Sequence, residues 1–397
     1  MRDGKRELFM NSPLKTNLCM SNPVVQDMMA QAMAEYAANH QNVTHLVFAF
    51  ADSDNTQCEC PACTGSPSEY MVQILNKADA LMTARGINTK IVFGMYLDTL
   101  IPPERSRYNN PDRFALLYCP ITRSYTKSID AESLLPEVPL TYVRNQFVNP
   151  DTAEANFAYL RKWQDVWEGT SFCYEYHYWI HQYNDPGLMY LSRRVYEDNR
   201  ALKIMGLQGC IEDGSQRSFF PHAFHMHIYA ESLFDRECDY DQVKEDYFKH
   251  IYGDDWKAVV DLMQSITDTF DFAYMEGEKS LNAQWGRFYN PEQAKRLAAV
   301  KELAQREREL AAAHMTMPTR PQTVSYRMLD AHATYIEALA EVMEQKALGN
   351  DAKAKELVAK FKKTAGALEL QWERYYDHFL AGKNIVAIIN QAGKQLF

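Results

Sequence analysis

Several familiar signatures are missing from this chain of 397 residues. It contains no G-x-S-x-G nucleophile elbow, no Walker A loop and no G-x-G-x-x-G fingerprint. The commonest motifs of serine hydrolases, nucleoside triphosphatases and dinucleotide enzymes are therefore absent. No apolar run is long enough to span a bilayer. Positive charge is in deficit, with 42 Lys and Arg against 52 Asp and Glu, for a formal net charge of -10. Nucleic acid and anionic membrane surfaces are thus excluded as main partners, because both need a basic footprint. Internal repeats and low-complexity linkers are also lacking. The first fourteen residues are polar and charged and do not resemble a signal peptide. The chain as given is expected to be cytoplasmic and reduced; export would follow from a signal-bearing N-terminus ahead of it.

What is present is an ordinary globular composition, 46% hydrophobic and 24% charged. Twenty-four Tyr and six Trp are a rich aromatic supply. Most of these rings are expected in the core, and the rest are available to stack on sugars.

The order of elements is informative. Residues 22–39 read as a helix, with Asn22 as cap and Pro23 in the first turn. An apolar run at 45–51 reads as a buried strand. A helix at 68–85 follows, then strands at 90–96 and 114–119. A helix at 152–167 precedes a strand at 171–176, and a helix at 189–203 precedes a strand at 206–211. Alternation of this kind predicts an α/β fold with a parallel sheet: a TIM-barrel-like (β/α) domain, partial because five strands are read where a closed barrel needs about eight. From about Asp239 only helical stretches remain, at 239–252, 256–275, 291–315, 321–348 and 352–379. The expected division is a barrel-like domain over 1–238 and an all-α domain over 239–397.

Barrel chemistry sits on the loops after the strands. Here those ends read Asp52 and Asp54, Tyr96, Arg123, Glu175 and Tyr176, then Glu212 and Asp213. Asp52-Ser-Asp54-Asn55 offers paired carboxylates for acid and base work or for sugar contact. Tyr174-Glu175-Tyr176-His177-Tyr178-Trp179 places an acid among rings. Burial there would raise the carboxyl's pKa, as a general acid requires. Strand alternation nevertheless sets Glu175 opposite Tyr174 and Tyr176, and an acid paired with an arginine is the competing reading. Glu212 and Asp213, beside Gly214, fit a catalytic or sugar-binding turn. The expected catalytic residues are Glu175 and Glu212. Asp52, Asp54, Asn55, Tyr96, Arg123, Tyr174, Tyr176, Tyr178, Trp179 and Asp213 are expected to bind substrate.

Metal chemistry is not expected. Cys58, Cys60 and Cys63 cluster in sequence, but a structural zinc site needs four ligands. His45 or Cys19 would have to supply the fourth, and a loop-shaping role is favoured instead. His222, His225 and His227 lack the spacing of a metal triad. No cofactor is called for.

The run Asp54-Asn-Thr-Gln-Cys58-Glu-Cys60-Pro-Ala-Cys63, followed by Ser68-Glu-Tyr and Asn76, resembles the DUF4838 proteins, linked to glycoside hydrolase family 163. Asp3-Gly-Lys-Arg6, Leu18 to Pro23, Tyr174-Glu-Tyr176, Gly206-Leu-Gln-Gly209, Ala230 to Asp241 and Tyr252-Gly253 extend the likeness over residues 1–275. The resemblance implies endo-β-N-acetylglucosaminidase activity on complex N-glycans and a catalytic barrel whose first strands precede the segment that begins here. Substrate-assisted retention through the acetamide is compatible with it. The implied partner is an oligosaccharide or glycan, with a homo-oligomer or a complementing chain to complete the sheet. Two rivals stand beside it. One is a carbohydrate-binding protein without chemistry. The other is a glycosidase of another specificity, such as uronic-acid glycans, which would need Arg123 or Arg217 for the sugar carboxylate.

Overall fold

A computed structural model describes residues 4–390. Five strands, β1 (His45–Phe48), β2 (Lys90–Met95), β3 (Phe114–Tyr118), β4 (Ser171–Tyr178) and β5 (Cys210–Gly214), form one parallel sheet in sequential order. The crossovers carry α2 (Pro67–Ala84), α3 (Ala153–Gln164) and α4 (Met189–Ala201); α1 (Pro23–Asn39) precedes β1. The α/β expectation and the strand order therefore hold, and the sheet curls as a half-barrel.

The helices start where their caps dictate. The Asn22 side chain accepts the Val24 N–H at 3.0 Å, ahead of Pro23. Ser66 caps α2 through the Glu69 N–H, and Thr152 caps α3 through the Ala155 N–H. Each cap satisfies a donor that the first turn leaves without a carbonyl.

Register sorts the strand residues into two faces. Phe48 aligns with Phe93 and Leu116, and Met95 with Tyr118 and Cys173. This row packs on the inner sides of α1, α2 and α3. The alternate residues, Val92, Ala115, Leu117 and Tyr176, line the concave face with Phe272 from the helical region.

β5 begins later than the sequence predicts. Gly206 turns at φ +73°, and pairing with β4 starts at Cys210 rather than at Gly206. Glu212 and Asp213 are consequently inside a strand, on opposite faces of it.

After β5 the chain is helical: α5 (Phe224–Phe234), α6 (Tyr240–Tyr252), α7 (Trp256–Phe270), α8 (Phe272–Met275), α9 (Pro291–Ala298), α10 (Val300–Ala312), α11 (Arg320–Ala347), α12 (Asp351–Trp372) and α13 (His378–Ile389). α5 and α13 were not read from sequence. The helical core also takes in Tyr183, Met189, Phe224 and Ile228, which lie before residue 239.

Among the described residues, β1 and β5 have no further strand beside them. Val47 on β1 is 61% exposed and Ile211 on β5 is 47% exposed, both on the concave face. Unpaired edges with exposed apolar side chains favour association. Light scattering on the purified chain should give a dimer or larger species, and Ile211→Lys should shift it toward monomer. A wild-type monomer at high concentration would contradict this.

Candidate functional site

Two tyrosine–aspartate pairs meet at the strand ends on the concave face. Asp52 follows β1 and is exposed; Tyr96 follows β2 and donates its hydroxyl to Asp52 Oδ1 at 3.0 Å. Across the sheet the Tyr174 hydroxyl donates to the half-buried carboxylate of Asp213. Burial raises the Asp213 pKa above the ordinary aspartate value, and the charge of Asp52 adds to the rise. Tyr174 is pushed up to about 12 by burial and by Asp213, so it remains a hydroxyl donor at neutral pH. The Tyr174 and Tyr176 rings meet edge to face at 5.3 Å and form an aromatic wall.

The N-terminal segment closes one side. The Asp52 N–H donates to the Leu14 carbonyl at 3.2 Å. Phe9, Met10 and Lys15 join Asp52, Asp54 and Tyr96 around a cavity of about 120 Å³.

Neither of the two expected catalytic acids faces this cleft. Glu175 and Glu212 are register partners on the helix side of the sheet. Glu175 is 4% exposed and takes Arg123 Nε at 3.2 Å and the Tyr125 hydroxyl at 2.8 Å on the same oxygen. Arg123 also pairs with Asp198 of α4. His177 bridges Asp198 at 2.8 Å and Glu212 at 2.7 Å. The expected picture of Glu175 among aromatic rings fails because the rings are on the alternate residues, and an arginine fills the space instead. Arg123 is thus a buried counter-ion, not a sugar contact. Arg217, the other guanidinium considered for a uronate, is held by Glu369 and by Asp377, the latter at 3.1 Å.

Other expected contacts are also structural. Asn55 stands at φ +53°; its N–H donates to both oxygens of Asp98, at 3.0 and 2.9 Å. Its amide accepts the Phe147 N–H at 2.7 Å and donates to the Phe147 carbonyl at 3.0 Å. Asn145, at φ +57°, does the same for Gln57, at 2.8 and 3.1 Å. Asp54 accepts from Asn149 at 2.6 Å while lining the cavity. The Tyr178 hydroxyl is spent on the His225 carbonyl, and Trp179 lies under Lys383 of α13. Sequence reasoning missed Asp198 and Tyr125. Asp198 sits inside an amphipathic helix, and nothing local marks it; Tyr125 was one tyrosine among many.

The His177 network gives the fold a pH dependence. Burial alone would lower the imidazole pKa, but Glu212 and Asp198 outweigh it and lift it to about 10. Arg123 and Tyr125 are its other polar neighbours. A pKa raised on folding contributes stability that is complete below the unfolded value, about 6.5, and is lost as pH rises through 10. The loss is on the order of 5 kcal/mol. Thermal melts should fall steadily from pH 7 to pH 10, and His177→Gln should flatten that slope; an equal slope in the variant would exclude His177 as its source.

The loop between β1 and α2 holds another cluster. Cys58, Cys60 and Cys63 are joined by Cys19, with all four Sγ atoms within 4.8 Å of one another. His45 is not part of it. Of the two fourth ligands the sequence offered, it is Cys19, from the segment before α1, that joins the cluster.

No family model, curated protein or solved structure matches the chain. The cleft is read from its own chemistry.

Proposed function

We propose that the strand-end cleft is the sugar site of a glycoside hydrolase, with Asp213 as general acid and Asp52 as its partner carboxylate. The observation that carries this reading is the pairing of two carboxylates in unlike settings, one half-buried with a raised pKa and one exposed. Environments that push two acids apart give them separate roles. Asp213, whose half-burial raises its pKa, is placed to deliver a proton to the glycosidic oxygen. Asp52, exposed beside it, faces the positive character that develops at the anomeric carbon. The Tyr96 and Tyr174 hydroxyls orient the two carboxylates, and the Tyr174 ring, backed by the buried Tyr176, offers a face for a pyranose. The resemblance of the Asp54–Cys63 segment supports β-linked N-acetylglucosamine as the substrate class, with the acetamide able to act as internal nucleophile.

A second reading, binding without hydrolysis, is favoured by one specific observation. The two strand acids with the most regular placement, Glu175 and Glu212, are tied up in ion pairs. The test is incubation of the purified chain with a complex-type N-glycopeptide and with aryl β-N-acetylglucosaminides, followed by mass spectrometry and calorimetry. Release of glycan or aglycone supports hydrolysis. Binding without release supports the second reading, and neither binding nor release would overturn both.

A further inference from the structure

We propose that Cys19, Cys58, Cys60 and Cys63 bind one structural zinc ion, which fastens the N-terminal segment to the loop that carries Asp52 and Asp54. The inference stands apart from the proposed hydrolase reading, since it uses none of the cleft residues.

The geometry points to coordination rather than to disulfides. Cys19 Sγ lies 3.6 Å from Cys60 Sγ and 3.8 Å from Cys63 Sγ. A disulfide would bring two sulfurs to about 2.05 Å. Zinc–sulfur bonds of about 2.3 Å in a tetrahedron set the sulfurs about 3.8 Å apart. The two Cys19 separations thus match the edges of a tetrahedral tetrathiolate site, and all four sulfurs lie within 4.8 Å of one another. No imidazole or carboxylate belongs to the group, so it matches the all-thiolate composition of closed structural sites.

The surroundings suit thiolates. Cys60-Pro-Ala-Cys63 folds as a tight turn, with the Cys63 N–H on the Cys60 carbonyl at 3.1 Å and the Ala62 N–H directed at the Cys60 sulfur. Ser21 turns both its backbone N–H and its hydroxyl toward the Cys63 sulfur, the hydroxyl at 3.0 Å. Donors aimed at sulfur from outside the ligand set orient the ligands and spread their charge. Arg144 donates to the Cys60 and Cys63 carbonyls at 3.0 and 3.1 Å, which puts a cation beside a site of net charge −2. Cys58 and Cys63 are buried, and Cys19 and Cys60 are half-buried, so the centre would be shielded without a position open to substrate.

Binding is a proton exchange: four thiols release four protons to solvent as one divalent ion takes four thiolates, and no redox partner is needed. The ligands come from two places 39 residues apart, Cys19 and Cys58, so the ion closes a loop that contains α1 and β1. That loop also includes Asp52 and Asp54.

The test uses the full chain, expressed in zinc-supplemented medium and purified without chelator. Mass-spectrometric metal analysis should find about one zinc per chain. Cys19→Ser should lower it several-fold, whereas Cys238→Ser, outside the cluster, should leave it unchanged. If Cys19→Ser does not fold, wild-type protein with cobalt in place of zinc carries the test, through an intense sulfur-to-cobalt charge-transfer band and the d–d pattern of tetrahedral cobalt. Zinc below about a tenth of an equivalent, with no cobalt band on reconstitution, would overturn the proposal. So would iron at one equivalent, or a disulfide between Cys19 and any of the other three in peptide mapping.

Discussion

Asp213→Asn should lower the turnover of a β-N-acetylglucosaminide by about two to four orders of magnitude, equivalent to about 3–5 kcal/mol of barrier. The substitution conserves volume and still accepts the Tyr174 hydroxyl, so neither fold nor KM should change much. What it removes is the proton. The basic limb of the pH–rate profile reports the group that must be protonated, and the variant should lose that limb. Two controls bracket the result. Glu175→Gln should affect the melting temperature more than the turnover, because Glu175 faces Arg123 and not the cleft. Asp52→Asn should impair turnover while leaving the basic limb in place. Normal turnover in Asp213→Asn together with a dead Glu212→Gln would move the acid to the other face of β5 and sink the assignment.

Arg123→Met should destabilise the fold by about 3–5 kcal/mol, the usual consequence of leaving buried charge without its partner. The guanidinium is 4% exposed, pairs with Glu175 and Asp198, and lies over the Tyr125 ring with its carbon 4.1 Å from the centroid. Methionine fills similar space but leaves Glu175 without its counter-ion in a dry region, and Asp198 with His177 alone. Chemical denaturation should show the loss as a lower midpoint with an unchanged slope. Adding Glu175→Gln to Arg123→Met removes one of the stranded charges and should recover part of the stability, so the two substitutions will not be additive. A single-variant loss below about 1 kcal/mol would mean that the network is wet or rearranges freely.

The sheet was legible in the sequence because β1 to β3 are short, largely apolar runs that end in polar loops, and β4 alternates rings with polar residues. Such runs suit strands of a parallel sheet, whose faces are usually covered. β5 was harder. Its apolar content is slight, and Gly206-Leu-Gln-Gly209 mimics the start of a strand while belonging to the turn before it. That shift carried Glu212 and Asp213 from a loop, where both would be available, into a strand, where only one is. The parity of β4 had already put Glu175 opposite Tyr174 and Tyr176. What could not be read was the partner that occupies its side. Arg123 comes from the loop after β3 and Asp198 from the third turn of α4, and neither position has a local pattern that announces burial. Cys19 was one of two candidates for the fourth ligand, and the sequence alone could not choose between it and His45.

Asn55 and Asn145 have a mechanical consequence. A side-chain amide presents the same donor and acceptor as a peptide group, and each asparagine pairs with one peptide of the opposite loop, Phe147 for Asn55 and Gln57 for Asn145, while Asn145 also donates to Glu59. The loop after β1 and the loop before α3 are therefore laced like two sides of a seam, its four peptide-like bonds running two in each direction. A displacement of either loop is carried to the other, although they lie about ninety residues apart in sequence. Asp52 and Asp54 hang from one side of that seam and Asn149 from the other. The stiffness of the cleft's rim is thus set by two amides that need never touch a substrate. Hydrolysis of either to a carboxylate would turn a donor that meets a peptide carbonyl into a second acceptor, and the seam would come open on both sides at once.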